Sequence, residues 1–448
     1  MKDNISILLI NPWLSDFAAY NLWAEPLGLF YMASILKKAG ASLTYINCLE
    51  SIEETNPRQK ENGCSKYRRH IIPKPECLSF VKRNFAVYGI KDDEFIRHLH
   101  NAGEPDIVLV TSVMTYWYPG VFKTIKMVKK TFGPGIQLIL GGIYTKLCPG
   151  HAKAGSGADH IYNADSHVEL IKMIEQITGK HFNGDLTPPG FPDYPLPLHE
   201  LHKNSVFFSV LTRMGCPYSC SYCASGILCR GFFKRSVSSV VSEIMEYSKR
   251  FHVKNVAFYD DAILIDPENH IIPILEKIIE NVRKFFFHLP NGIHSSLMTK
   301  KIARLFYSAG IKTIRIGLET TDKKLQNKFG NKTSNVDYMR AVNLLREAGY
   351  GKRDIGTYIM AGLPSQTAGS VEKSLEFVSR AGGSPYLSYF SPIPGTKIWP
   401  EAVRSTPFPI DKEPLFQNNT VFILGNKAFS GSAIKDLKDK AVGLRKGP

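Results

Sequence analysis

The stretch SVFFSVLTRMGCPYSCSYCASG, Ser205 to Gly226, runs an apolar, strand-like segment straight into a loop that holds three cysteines within eight residues. Gly215 and Pro217 mark the join as a turn. A structural zinc site would want four ligands, and the usual second pair of cysteines does not follow. Cys229 or His252 could complete such a site. Three thiolates also suit an iron–sulfur cube, in which one iron stays available to a small-molecule chelate.

Downstream, strand-like runs return at VKNVAFY, KFFFHLP, IKTIRIGLE, DIGTYIMAG and PYLSYFS. Helical segments such as SVVSEIMEYSKRF, TKKIARLFYSAG and NVDYMRAVNLLREAG separate them. Six β/α units in a row predict a partial (β/α)6 barrel of TIM type over about 201–400, with functional groups at the C-terminal strand ends. Cys216, Cys220 and Cys223 follow the first of those strands and so belong at the barrel mouth. After Ile410 the pattern fades, and 401–448 is expected to be a cap or tail.

Upstream, strand and helix also alternate: ISILLINP, PLGLFYMASILKKAG, ASLTYINC, PDIVLVTS, YPGVFKTIKMVKKTFG, IQLILGG and HVELIKMIEQITG. Pro26 suits the first turn of the first helix and Gly40 its stop. This α/β pattern predicts a doubly wound, Rossmann-like domain over 1–180, with ligands beyond the carboxyl ends of its strands. An interruption over about 51–93 is long for a connection and reads as a lid or substrate loop. Its Cys64 and Cys77 read as unpaired thiols. The proline-rich LTPPGFPDYPLPLHE, within 181–200, reads as a stiff linker.

At 448 residues the chain is too long for one ordinary core, and its composition is globular. Eight cysteines, three of them clustered, fit a reducing compartment. No apolar run is long enough to span a bilayer, and Ile5 to Ile10 reads as a strand rather than a signal peptide, so a cytoplasmic protein is expected. Lysine and arginine exceed the acids by 56 to 40, which raises the question of a polyanionic partner. The positive residues are scattered, however, and the densest patch, KYRRH at Lys66 to His70, reads as solvated surface, so nucleic acid is not expected as a partner.

At CPYSCSYC the chain resembles the radical S-adenosylmethionine (SAM) superfamily, whose signature is C-x-x-x-C-x-aromatic-C, with Tyr222 in the aromatic slot. The resemblance implies a 4Fe-4S cluster on Cys216, Cys220 and Cys223, with SAM chelating the fourth iron. It further implies one-electron cleavage of SAM to a 5'-deoxyadenosyl radical, and a flavodoxin- or ferredoxin-type reductant. By the same resemblance Tyr222 packs beside the adenine and Asp260 and Asp261 lie near the SAM amino group. Glu319 then lies near the ribose, and Gly362, in GTYIMAGLP with Pro364, backs the adenine. Turn and helix-cap roles are the structural alternatives for Gly362, Pro364 and Asp261. His294, in HLPNGIH, could face substrate or be a structural histidine.

The first domain resembles the cobalamin (B12)-binding domain that precedes the barrel in one large class of these enzymes. The resemblance runs through INPW, PLGLFYMASILKKAG, TSVMTYW and LILGGIYTKL. Thr111, Ser112 and Met114 stand where relatives place a motif beside the corrin and nucleotide tail, and Gly141 and Gly142 match a double glycine that lets backbone approach the ligand. Two features depart from the pattern. DFAAYNLW stands where relatives have Asp-x-His-x-x-Gly, so no histidine there can ligate cobalt; NADSHVE, Asn163 to Glu169, replaces a Gly-Glu-Gly-Glu.

The resemblance implies a cobalamin-dependent radical SAM methyltransferase acting on an unactivated carbon of an unknown small-molecule or peptide substrate. A radical SAM enzyme of another type, such as a cyclase, rearrangement enzyme or methylthiotransferase with a vestigial B12-like domain, is the alternative. A zinc-containing nucleic-acid-binding protein is the non-enzymatic reading.

Overall fold

The computed structural model describes residues 4–49, 61–184, 190–203, 205–281, 284–330, 332–423, 429 and 431–446. The chain divides into two compact units, residues 1–205 with 412–418 and residues 206–411 with 419–448.

The first unit is built on a five-stranded parallel sheet of β1 (Ser6–Asn11), β2 (Ser42–Asn47), β3 (Ile107–Val110), β4 (Leu138–Leu140) and β5 (His160–Ile161), in the order β5-β4-β3-β1-β2. Alternation along β1 divides the core. Leu8 and Ile10 join one apolar cluster with α2 (Asp92–Ala102) and α3 (Tyr118–Phe132), while Ile7 and Leu9 join another with α1 (Leu27–Lys38) and α4 (His167–Thr178). Helices therefore cover both faces, as the buried IVLV of β3 requires. The chain leaves β1 for β2 on one side and continues through β3 on the other, so the topological switch point lies between β1 and β3.

The described part of the long interruption, 61–91, forms an antiparallel lobe with the segment after β1. Ala86–Tyr88 pairs with both Leu14–Asp16 and Arg69–Ile71, and Tyr20–Asn21 pairs with Ser65–Lys66. Residues 50–60 lie outside the described residues. Asp16, 1% exposed, anchors the lobe by accepting from Trp117 Nε1 at 2.8 Å and from Asn418 Nδ2 at 2.9 Å.

The proline-rich stretch, expected as a linker, is packed onto the first unit over its described part, residues 190–203. Phe191 and Leu198 are buried, Ser34 Oγ donates to the Leu196 carbonyl, and His199 meets the buried Glu25 carboxylate at 3.0 Å. The prolines remove backbone donors, but these apolar side chains still gain by docking on α1. Residues 185–189 lie outside the described residues.

The second unit carries six parallel strands in sequence order: β6 (Phe207–Val210), β7 (Asn255–Phe258), β8 (Phe286–His288), β9 (Ile311–Glu319), β10 (Ile355–Ala361) and β11 (Ser384–Tyr389). The intervening helices start where polar side chains satisfy their free N–H groups. Ser236 caps α5 (Val237–Phe251), Thr299 caps α7 (Lys300–Ala309), which follows α6 (Ile271–Ile279), and Asp322 caps α8 (Lys323–Phe329). Reciprocal capping boxes open α9 (Asn335–Glu347) and α10 (Ala368–Arg380). Beyond β11 come a short helix, Trp399–Ser405, and α11 (Gly431–Lys446), which packs on α10 and β11. Residues 424–428, 430, 447 and 448 lie outside the described residues. No helix among the described residues is long and apolar enough to cross a membrane.

Candidate functional site

After β6 the chain makes a two-residue strand, Arg213–Met214, paired antiparallel with Phe233–Lys234, and the segment between them bulges out as a closed loop. Gly215 seals its base. It sits at φ +85°, and a Cβ there would stand 2.1 Å from the Gly231 carbonyl oxygen, so only glycine fits. The loop carries Cys216, Cys220 and Cys223, the last one exposed. Its path is pinned by Cys223 N–H to the Cys220 carbonyl, Ser221 N–H to the Phe329 carbonyl and Ile398 N–H to the Ser221 carbonyl.

Burial pushes the Cys216 thiol up, and Asp261, Cys223 and Cys220 add to the rise. Burial likewise raises Cys220, opposed by the cation of Lys332 and assisted by Cys223 and Glu319. The three sulfurs therefore lie within electrostatic reach of one another. Among the described residues, however, no three His, Cys, Asp or Glu side chains converge on a single ion, Cys229 and His252 included. Three neighbouring thiols on one loop can each ligate one iron of a polynuclear cluster and leave another iron open.

The two adjacent acids at the end of β7 have separate tasks. Asp260, 4% exposed, spends its carboxylate on Thr212, accepting from its N–H at 3.1 Å and from its hydroxyl at 2.6 Å. Burial pushes its pKa up to about 6 despite those bonds. Asp261 instead accepts from the Ser225 hydroxyl at 2.9 Å, and Ser225 Oγ lies 3.2 Å from Cys223 Sγ. Neither acid caps a helix; Asp260 ties the ends of β6 and β7 together and Asp261 borders the cysteine loop.

Glu319 closes β9 with a φ of +64°, at a register irregularity between β9 and β10. Left-handed backbone in a residue other than glycine is strained, and such strain gathers at functional sites. Its carboxylate meets Lys332 Nζ at 3.5 Å, and that ammonium stands 5.6 Å from the Tyr222 ring centroid. Burial alone would lower the Lys332 pKa, but Glu319, Tyr222 and Cys220 together raise it, so the lysine stays charged. The Tyr222 hydroxyl is buried beside the Lys332 ammonium and the Cys220 thiol. Tyr222, Glu319, Lys332, Leu318 and Phe329 line one narrow cleft. Lys332 carries no sequence signal: it is one cation among 56, in a loop without periodicity.

Gly362, just past β10, is held by Gln366, whose Oε1 accepts the N–H of both Gly362 and Leu363 at 2.9 and 3.1 Å. The turn reading of Gly362 thus has a physical basis, and Gln366 is a partner the sequence did not announce. His294, 5% exposed, stacks on Tyr218 at 4.7 Å, and its Nδ1 is buried without a partner. Burial and the charge of Lys332 lower its pKa to about 4, so the ring is neutral near pH 7.

In the first unit, Thr111, Ser112 and Met114 follow β3, and Gly141 and Gly142 follow β4, all at the carboxyl edge beside the switch point. Met114 is exposed and Ser112 is buried. Ser112 Oγ donates to the Gly141 carbonyl at 2.6 Å. Gly142 adopts φ +102° and ψ −166°, and a Cβ there would lie 2.1 Å from the Ser112 carbonyl oxygen. That close approach is to the chain's own backbone rather than to a ligand. At Gly141 a Cβ would meet nothing nearer than the Tyr162 ring at 3.5 Å. The segment DFAAYNLW contributes to the antiparallel lobe described above.

Residues 210–378 match the model of the Radical SAM superfamily. The chain is 21% identical over 333 residues, 67% of its length and 70% of the relative's, to an uncharacterized methyltransferase of Pyrococcus horikoshii. It is 23% identical to the anaerobic magnesium-protoporphyrin IX monomethyl ester cyclase of Rubrivivax gelatinosus, covering 60% of this chain but only 53% of that one. Among solved structures, the radical SAM methyltransferase TsrM from Kitasatospora setae, with cobalamin and a [4Fe-4S] cluster bound, superposes with a TM-score of 0.69 at 15% identity, over 98% of this chain and 91% of that one. At that identity the likeness establishes the fold alone: a doubly wound α/β unit and a partial (β/α)6 barrel.

Proposed function

Because this chain carries a radical SAM domain, we propose that it is a cobalamin-dependent radical SAM methyltransferase acting on an unactivated carbon. The observation that carries the reading is the sealed three-cysteine loop at the carboxyl mouth of a six-stranded parallel barrel, in a chain that also contains a doubly wound unit. Support comes from the extent of the match to a cobalamin- and cluster-containing methyltransferase and from a relative named as a methyltransferase.

In this reading Cys216, Cys220 and Cys223 hold the cluster, each thiol giving up its proton as iron binds. The fixed charge of Lys332 favours that loss at Cys220. Tyr222, Glu319 and Gly362 form the SAM pocket: the Tyr222 ring offers a flat apolar face and the Glu319 carboxylate an acceptor for ribose hydroxyls. Asp261, beside the cysteine loop, suits the SAM ammonium, and Asp260 acts on it only by fixing the ends of β6 and β7. Thr111, Ser112, Met114, Gly141 and Gly142 form the corrin edge at the carboxyl ends of β3 and β4. When bound, the cluster and SAM supply reductive cleavage of a carbon–sulfur bond, and cobalamin supplies a transferable methyl group. Leu318 and Phe329 help to exclude water from the cleft, and a flavodoxin- or ferredoxin-type protein delivers the electron.

A radical SAM enzyme of another reaction type remains the second reading, favoured by the cyclase among the relatives and by the lack of a cobalt-ligating histidine in DFAAYNLW. Anaerobic reconstitution with iron, sulfide and hydroxocobalamin, followed by corrin analysis, separates the two. Stoichiometric corrin retention is expected; an iron–sulfur protein that fails to hold corrin supports the second reading.

A further inference from the structure

The antiparallel lobe of the first unit encloses a pocket to which neither the cluster loop nor the candidate corrin residues contribute. It measures about 400 Å³ and is lined by Phe17, Tyr20, Tyr67 and Tyr88 together with Lys66 and Arg69. That volume lies within the range of roughly 300–1,000 Å³ typical of small-molecule sites. Lys66 and Arg69 belong to the basic run KYRRH. Its Arg68 turns away to pair with Glu94 at 3.1 Å, whereas neither Lys66 nor Arg69 meets a carboxylate among the described residues. Lys74 and Arg83 stand over the Phe17 ring at 5.9 and 5.0 Å, which adds to the positive field. Asp16, on the strand next to Phe17, is 1% exposed, with its oxygens occupied by Trp117, Asn418 and the Phe17 N–H.

The frame is rigid. Strand pairing fixes Tyr88 against Arg69 and Tyr20 against Lys66, so the two cations and two of the rings are set by backbone register. The pocket also opens from the segment that leaves β1, one of the strands flanking the switch point, where doubly wound sheets bind ligands. Aromatic faces select a flat apolar body, and two cations that meet no carboxylate among the described residues select a carboxylate or phosphate.

We propose that this lobe is a binding site for a small organic anion, a planar apolar body carrying one carboxylate or phosphate group. Arg69 and Lys66 receive the charged group, and Tyr20, Tyr67 and Phe17 flank the body. The site is independent of cluster chemistry and can be tested on the full-length chain without cofactors.

Calorimetric titration with 1-naphthoate, 1-naphthyl phosphate and the neutral 1-naphthalenemethanol provides the test. Saturable one-to-one binding of at least one anion is expected, and whichever anion binds tighter identifies the headgroup. The neutral probe should bind at least about tenfold more weakly, the scale of one charge-assisted hydrogen bond. R69Q and K66Q should each weaken anion binding by about tenfold on the same grounds while leaving the neutral probe and the melting temperature unchanged. K172Q, an exposed position on α4, should change nothing. The proposal is overturned if neither anion saturates at millimolar concentration, if neutral and anionic probes bind alike, or if R69Q has no effect. It is overturned equally if loading the chain with hydroxocobalamin abolishes anion binding, because the pocket would then belong to the corrin.

Discussion

At the carboxyl ends of the barrel strands, the His294 Nδ1 is buried without a partner among the described residues, and Glu319 is held in a strained backbone conformation. At the carboxyl edge of the first unit, Ser112 bonds to Gly141 and the backbone of Ser112 fills the space that a side chain at Gly142 would take. The first set carries backbone strain and an unmet hydrogen-bonding group, whereas the second is satisfied within the chain. A serine and a double glycine that match a cofactor motif can therefore be needed by the sheet whether or not the cofactor binds.

The sharpest separation of the two regions is expected from Cys220→Ala. It should abolish cluster incorporation and cleavage of SAM to 5'-deoxyadenosine, while corrin retention by the first unit stays intact. Unchanged cleavage would mean that the cluster sits elsewhere.

Next comes the double glycine. Gly142→Ala forces a Cβ against a carbonyl oxygen in a backbone region open only to glycine, and should destabilise the cofactor-free chain by about 3 kcal/mol in denaturant unfolding. Gly141→Ala should cost less than about 1 kcal/mol, because its Cβ would meet only ordinary contact. Equal costs would show that the Ser112 approach does not decide the matter.

The paired acids test the same idea inside the barrel. Asp260→Ala strands the Thr212 N–H and should cost about 2 kcal/mol of stability. Asp261→Ala should change stability by less than about 0.5 kcal/mol yet weaken SAM binding to the reconstituted protein. The reverse pattern would exchange their roles.

The smallest effect is expected at Lys332. Its cation favours the Cys220 thiolate, so Lys332→Met should raise that thiol further and slow its alkylation by iodoacetamide at pH 8. Mass spectrometry of the cofactor-free chain reads this directly. An unchanged rate would place the lysine's charge outside the cysteine loop's field.

The parallel sheets were legible because their strands are short and apolar and alternate with helices, and in the second unit Ser, Thr or Asp caps open most of those helices, so hydrophobic period and local capping agree there. The cysteine loop was legible from spacing, and Gly215 shows why the turn stands where it does. The antiparallel lobe was not, because strands of two or three residues, such as Leu14–Asp16 and Ser65–Lys66, carry no period and pair only through tertiary contact. Asp260 and Asp261 looked equivalent as neighbours, yet one turns back to Thr212 and the other toward Ser225. Lys332 and Gln366 act through partners far along the chain or across a turn, and composition does not mark such residues. The proline-rich stretch misled because proline content reports backbone stiffness, whereas Phe191 and Leu198 decide whether the segment docks.

Metal and sulfide analysis of the chain purified without oxygen bears on the whole reading at once. About four irons and four sulfides per chain are expected, as for a cube held by three thiolates. One zinc per chain with no acid-labile sulfide would contradict it, since the barrel mouth would then hold a closed structural ion and no place for SAM to dock.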